Sequence, residues 1–308
     1  MKTHLALIGP TASGKSALAL QLAKELGDIE IVSIDSMQIY RGMDIGTAKP
    51  TPEERNRVQH HLIDVVDPSE SWSVAQFQEQ ARAAVREIES RNHRAVLVGG
   101  TGLYFHAVID DLRFPSENLE IRHAIEAQIA TPEGLAQAYA ELSGADPQAA
   151  EKIEPNNGRR IARALEVIRS TGQPFSSFGS GVTTFGTPVF PVDIVGIWLP
   201  RPVLNERVDQ RVQIMREAGL EEEVKQLDTR PWHRTAREAI GYKELVQYMH
   251  GNCTLDEAFA TIAQRTRSFG KRQRMWFRRD PRITWVGARE DSGVLYPALQ
   301  KRWVGAVK

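Results

Sequence analysis

The sequence predicts an α/β protein: a parallel sheet flanked by helices, interrupted by an all-helical insertion. Three observations lead there. A glycine-rich turn with the spacing G-x-x-x-x-G-K-[ST] sits between an apolar run and an amphipathic helix. Short apolar, β-branched runs recur at residues 30–34, 95–98 and 193–199, each the length of a buried strand. Between the last two, residues 113–191 carry helical periodicity and few β-branched runs. The expected division is a core of residues 1–112 and 192–308, ending in basic helices, with 113–191 as the insertion.

The first strand is Leu5-Ala6-Leu7-Ile8. The turn is Gly9-Pro10-Thr11-Ala12-Ser13-Gly14-Lys15-Ser16, and residues 17–26 form a helix with Gly27 placed to cap it. Strand, glycine turn and helix direct backbone N–H groups around phosphate oxygens, and the helix N-terminus adds partial positive charge. Lys15 adds a full charge and Ser16 offers a hydroxyl to Mg²⁺. A second glycine followed by Lys-Ser has no packing reason. The core is therefore P-loop NTPase-like and binds a phosphate or pyrophosphate, although the loop alone does not say whose.

The second strand ends at Asp35-Ser36-Met37-Gln38-Ile39-Tyr40. Ligands of open α/β sheets sit beyond the carboxyl ends of strands, so Asp35 shares a rim with the P-loop. It is a candidate base or Mg²⁺ partner; the plainer reading is a turn cap. Residues 42–50 are glycine-rich and read as a loop, whose Thr47 and Lys49 either meet a polar ligand or are solvated. His60 and His61 lack further ligands at metal spacing and read as structural. Ser73 and Gln76 form a capping box before a helix reaching about Arg91.

The third strand runs into Gly99-Gly100-Thr101-Gly102-Leu103-Tyr104. A P-loop ATPase usually carries an acid there. Its absence argues against ATP hydrolysis without excluding a kinase. The glycines are expected to let a ligand approach closely, with Thr101 giving it a hydroxyl.

In the insertion, residues 117–129, 132–142, 147–153 and 159–170 read as helices, the last closed by Thr171-Gly172. Ile161, Leu165 and Ile168 share one face; Arg159 and Arg163 share another, with Arg160 beside them. Such arginines are either a solvated face or a grip on a polyanion. A Ser/Gly/Thr/Pro-rich loop over 176–191 leads back to the core. Residues 204–217 are amphipathic, with Val208, Val212 and Met215 inward and Arg207 and Arg211 placed to close over a phosphate. Gly241-Tyr242-Lys243 reads as a turn between helical stretches.

The densest basic segment holds Arg265, Arg267, Lys271, Arg272, Arg274, Arg278, Arg279 and Arg282, with Asp280 its only acid and Phe269, Trp276, Phe277 and Trp285 interleaved. Basic charge with aromatics suits a surface that holds a nucleic-acid backbone and stacks bases. Overall charge hides it, because 39 Lys+Arg balance 39 Asp+Glu over the 308 residues. The one cysteine, Cys253, excludes an internal disulfide framework and a cysteine-based zinc site, and fits a reducing cytosol. The first strand is expected to begin within five residues of the N-terminus, which would leave no room for a signal peptide. No apolar run approaches membrane-spanning length.

Taken together, Gly9 to Ser16, Asp35-Ser36-x-Gln38-x-Tyr40, Gly46-Thr47-Ala48-Lys49-Pro50, Gly99 to Tyr104, Arg160-x-x-Arg163-Ala164-Leu165-Glu166 and Lys271-Arg272-Gln273-x-x-Trp276-Phe277 resemble the bacterial tRNA dimethylallyltransferase family. The resemblance covers essentially the whole chain except its last few residues. It implies transfer of a dimethylallyl group from its diphosphate to N6 of adenosine 37, beside the tRNA anticodon, with release of pyrophosphate. It implies that Gly9, Pro10, Thr11, Ala12, Ser13, Gly14, Lys15 and Ser16 hold the donor diphosphate, with Arg211 and Mg²⁺, and that Asp35 is the general base. Asp35, Ser36, Met37, Gln38, Thr101, Arg122, Arg159, Arg160, Ile161, Ala162, Arg163 and the Glu238 to Lys243 turn (Gly241, Tyr242 and Lys243 included) would contact tRNA. The insertion would grip the anticodon stem, and the basic segment adds Lys271, Arg272 and Arg274 to the tRNA surface. A cytoplasmic monomer is expected. Three other classes stay open at this point: a P-loop small-molecule kinase, a prenyltransferase acting on free adenine nucleotides, and a non-catalytic RNA-binding protein.

Overall fold

A computed structural model describes residues 3–178 and 184–305. In chain order the elements are β1 (His4–Ile8), α1 (Lys15–Leu26), β2 (Ile29–Ile34), α2 (Pro52–Arg57), β3 (His60–His61), α3 (Val74–Ser90), β4 (Arg94–Gly99) and α4 (Gly102–Ile109). Then come α5 (Leu119–Gln128), α6 (Pro132–Ala145), α7 (Pro147–Lys152) and α8 (Gly158–Thr171). The chain closes with β5 (Val192–Trp198), α9 (Arg201–Glu217), α10 (Leu220–Asp228), α11 (Arg234–Arg237), α12 (Tyr242–Met249), α13 (Leu255–Phe277), β6 (Thr284–Gly287) and α14 (Tyr296–Gly305).

The strands form one parallel sheet in the order β3-β2-β4-β1-β5-β6. Both faces are covered, as parallel sheets require. Alternation along each strand divides the core. Ala6, Ile8, Val32, Ile34, Ala95 and Leu97 face a layer that includes α3, α4, α12 and α13. Leu5, Leu7, Ile29, Ile31, Val96 and Val98 face α1 and α14. Local signals placed the ends well. Gly27 takes a left-handed conformation (φ 68°) after α1, Ser73 and Gln76 form the capping box of α3, and Gly172 (φ 69°) ends α8.

Two strands escape the sequence reading. β3 is only two residues long. β6 directly follows the arginine-rich segment, and its Trp285 packs over Gly196 of β5, where a Cβ would come within 2.7 Å of the indole. Trp285 is thus edge-strand packing rather than a base-stacking surface. Phe277 is likewise fully buried in the core.

The chain divides into two compact units, residues 1–110 with 185–308, and 111–184. This corrects the expected 113–191 limits. Asp110 caps α4 and is gripped by Arg282. On the return, Phe185 packs on His106 and the Val189 N–H bonds the Ile109 carbonyl at 2.8 Å. The expected loop over 176–191 therefore rejoins the core early; its residues 179–183 lie outside the described residues. The insertion has its own core, with Ile125, Ala138, Leu142, Ala150, Ile161 and Leu165 buried among α5 to α8.

His61 proves structural, as expected. Its Nε2 bonds Glu30 at 2.7 Å, and Glu30 also accepts from His93 Nδ1 at 2.9 Å and from Arg91 Nη2 at 2.7 Å. Burial alone pushes the Glu30 carboxyl up, but these hydrogen bonds outweigh it and hold it down to about 2. A depressed carboxylate stabilises the fold above its unfolded pKa of about 4.3 and loses that stabilisation as pH falls towards the folded value. Glu30→Gln should therefore destabilise the protein at pH 7 by up to about 3 kcal/mol. Its deficit against wild type should shrink between about pH 4.5 and 2, which urea melts across that range will read.

Candidate active site

The strand order brings the carboxyl ends of β2, β4 and β1 side by side, and each leads into an expected site segment. β1 leads into the P-loop. Gly14, at φ 83°, lets α1 begin at Lys15, and a Cβ there would lie 2.0 Å from Ser292 Oγ. The first turn of α1 has neither a side-chain cap nor an acid, which leaves its N–H groups for an anion. Lys15 Nζ curls back to within 3.2 Å of the Pro10 carbonyl. From α9, Arg211 Nη1 reaches the Thr11 hydroxyl at 3.2 Å. Its neighbour Arg207 turns instead to Asp291 and Ser292. Both expected arginines stand by the loop, since a Cβ on Gly14 would lie 3.7 Å from Arg207 Nη1, but Arg211 is the one that bonds a loop side chain.

This cation pair is electrostatically strained. Burial pushes the Lys15 ammonium down to about 8, Arg211 adds to the effect, and Asp35 opposes it. Burial likewise lowers the pKa of Arg211, Arg207 lowers it further, and Asp35 again opposes. A bound polyanion would relieve both.

Asp35 stands at the end of β2. Its Oδ1 accepts the Met37 N–H at 2.9 Å, so it does form the turn, and it also faces the two cations. At the end of β4, the Thr101 hydroxyl accepts the Ser36 N–H at 3.4 Å, which sets Thr101 beside the Asp35 turn. The neighbouring glycines have another cause than the one expected. A Cβ on Gly100 would lie 2.1 Å from Gln273, and one on Gly102 2.1 Å from Trp276. They make room for α13, not for a ligand.

Several expected contact residues are engaged within the protein. Gln38 accepts from the Ser33 hydroxyl at 2.7 Å and donates to the carbonyls of Thr47 and Ala48. Half-buried Thr47 donates to the Met43 carbonyl, and Lys49 pairs with Asp44 and Asp64 with its side chain 3 % exposed, so Lys49 is not solvated. The side chains of Ile161, Ala162 and Tyr242 are buried and present no surface to RNA. Tyr242 donates to Glu223, whose carboxylate also collects the N–H groups of Asp44, Ile45 and Gly46. Lys243 pairs with Glu238 at 2.5 Å. In the insertion, Arg122 and Arg163 both grip the buried carboxylate of Glu166 at 2.7 Å, whereas Arg159 and Arg160 stay exposed.

The basic segment thins in the same way. Arg265 pairs with Glu244, Arg267 with Asp209, and Arg282 with Asp110 and Asp280. Arg272 lies over Phe269, Arg274 over Trp198 and Arg279 over Trp276. Lys271, Arg272, Arg278 and Arg279 remain exposed. Sequence reasoning gave Glu166, Glu223 and Gln273 no role. Glu166 and Gln273 lie in quoted motifs, which is the signal that marked them.

The family described as IPP transferase matches residues 38–280. A protein of Geobacter metallireducens named tRNA dimethylallyltransferase is 47% identical over 289 residues, 92% of this chain and 93% of the relative. One of Bifidobacterium adolescentis with the same name is 44% identical over 299 residues, 96% of this chain and 85% of the relative. Among solved structures, the tRNA isopentenylpyrophosphate transferase of Bacillus halodurans is 41% identical with a TM-score of 0.71, over 99% of this chain and 97% of that one. A eukaryotic dimethylallyltransferase acting on tRNA is 26% identical with a TM-score of 0.80, over 99% of this chain and 80% of that one.

Lys15 gives the anion site a pH signature. An anion beside it raises its pKa, so binding takes up a proton once the free lysine titrates. Affinity for a diphosphate ester is therefore expected to hold below about pH 8 and to fall as pH rises beyond it. Calorimetric titration from pH 7 to 9.5 checks this; Lys15→Gln should bind weakly and without that bend.

Proposed function

The chain belongs to the IPP transferase family, and on that premise we propose that it transfers a dimethylallyl group from dimethylallyl diphosphate to N6 of adenosine 37 in tRNA, releasing pyrophosphate. The observation that carries the chemistry is the desolvated pair of Lys15 and Arg211 at the P-loop, with Asp35 facing both from the next-but-one strand.

An allylic diphosphate ionises readily because the developing cation is delocalised. The demand falls on the leaving group, which departs with the electron pair of the C–O bond. Fixed N–H groups and two cations in a partly dry pocket stabilise it as charge develops. Mg²⁺ suits this loop: the Ser16 side chain is exposed and makes no hydrogen bond among the described residues. No cluster of three or more His, Cys, Asp or Glu side chains that could hold a metal occurs among them either. Ser16, diphosphate oxygens and water would form the coordination shell usual for that ion. When bound, it supplies further charge to the departing pyrophosphate.

The exocyclic amine of adenine is a weak nucleophile, because its lone pair is shared with the ring. It has to be aimed at the allylic carbon and lose a proton as the N–C bond forms. Asp35 serves as the orienting group and proton acceptor, with Thr101 beside it for the base. The adenine leaves its stack to enter such a site, which takes less energy in a loop than in a duplex. Exposed Arg159 and Arg160 on α8, and Lys271, Arg272 and Arg274 on α13, are the proposed backbone contacts. No described helix is long and apolar enough to cross a membrane; a cytoplasmic monomer is the proposed working form.

Mass spectrometry of tRNA nucleosides after incubation with the donor tests the reaction; transfer from ATP in place of prenylation would overturn it. Asp35→Asn keeps shape and loses the base, so single-turnover prenylation should slow by at least ~10². Because Asp35 also offsets the two desolvated cations, its loss should lower the melting temperature somewhat without weakening diphosphate binding, tRNA affinity should stay near wild type, and kcat and kcat/KM should fall together. Arg159→Ala/Arg160→Ala should weaken tRNA binding and flatten its salt slope by about 0.7 to 0.9 for each phosphate no longer neutralised, with donor binding unchanged. Arg163→Ala should instead lower the melting temperature, because it strips a partner from buried Glu166.

A further inference from the structure

Gln273 lies on α13, one residue from Arg272 and Arg274, yet it is 6 % exposed and points away from them, into the sheet rim. Its amide bridges two backbone groups. Oε1 accepts the Thr11 N–H at 2.8 Å and Nε2 donates to the Gly100 carbonyl at 3.0 Å. One partner can only donate and the other only accept, which fixes the amide orientation. A carboxylate would meet the first alone and an ammonium the second alone.

The bridge has a consequence for the donor site. Thr11 is the residue whose hydroxyl meets Arg211 at 3.2 Å. A chain of contacts therefore runs from α13 through Gln273 to Thr11, and from Thr11 to the cation that faces the diphosphate. One turn before Gln273, a Cβ at Gly270 would lie 3.7 Å from both Pro10 and Thr11, so α13 itself rests against the loop. The end of β4 is shaped to admit the amide, since any side chain at Gly100 would strike it.

We infer that Gln273 is a positioning residue of the donor site, holding Thr11 so that Arg211 stands over the leaving diphosphate. The inference rests on the proposed reaction for its meaning and on the amide bridge for its geometry. Gln273 touches neither substrate; it acts through Thr11 and Arg211. The helix that offers basic side chains outward thus also braces the P-loop from within.

The test is a double-mutant cycle read on pyrophosphate and tRNA affinities. Gln273→Met keeps the volume and removes both hydrogen bonds. It should weaken pyrophosphate binding on the order of tenfold, the scale of a buried hydrogen bond removed with a partner left unsatisfied. It should also raise the KM for dimethylallyl diphosphate and leave tRNA affinity unchanged. In an Arg211→Ala background the same change should weaken pyrophosphate binding by less than about twofold, because the group it positions is gone. Equal losses in both backgrounds, or no loss in a folded Gln273→Met protein, would reduce Gln273 to packing. Gly100→Ala displaces the amide without removing it but also brings a Cβ to 3.1 Å from the Gly9 carbonyl, so only the part of its loss that disappears in the Arg211→Ala background reads the bridge; if none disappears, the inference falls even where Gln273→Met fails to fold. Wild-type protein assayed with tRNA and donor separates the two claims. Absence of prenylated adenosine there removes the reaction, while the pyrophosphate arm still judges Gln273.

Discussion

Two cations held together at the rim of a parallel sheet are the constraint around which the core is arranged. Lys15 and Arg211 repel one another, both are desolvated, and Asp35 is the carboxylate that offsets them. Such an arrangement is unfavourable in the free protein and persists only because rigid elements impose it. β1 and α1 fix Lys15, α9 delivers Arg211 and β2 delivers Asp35. An anion with charge on several oxygens would release the strain, and would do so more fully if it gathered charge on leaving. Preorganised electrostatics of this kind favour the late state of a reaction over its start.

Carboxylates decide which basic residues are free to meet a polyanion. Glu166 takes Arg122 and Arg163, Glu244 takes Arg265, Asp209 takes Arg267, and Asp110 with Asp280 takes Arg282. The pairs with Glu166 and with Asp280 involve acids with fully buried side chains, so breaking them leaves an uncompensated charge inside the protein. Those arginines hold elements together. Arg159, Arg160, Lys271 and Arg272 have exposed side chains, which leaves their charge facing solvent. Counting basic residues along the chain overstates that surface, because most of the compensating acids lie far away in sequence.

The α/β class, the P-loop, the helical insertion and most element ends were legible in the order of residues. These follow from local causes: apolar periodicity, caps such as Ser73 with Gln76, and glycines such as Gly27 and Gly172 that accept a left-handed backbone. Asp35 and Thr101 were legible too, since strand ends in a parallel sheet converge on one rim. The tertiary structure alone decided why Gly100 and Gly102 are glycines, that Trp285 builds an edge strand, that Tyr242 is buried against Glu223, and that Gln273 braces Thr11. Each of these joins residues between 19 and 262 positions apart. A side chain's burial and partners are set by what packs against it, and that is a property of the folded chain rather than of its neighbours in sequence.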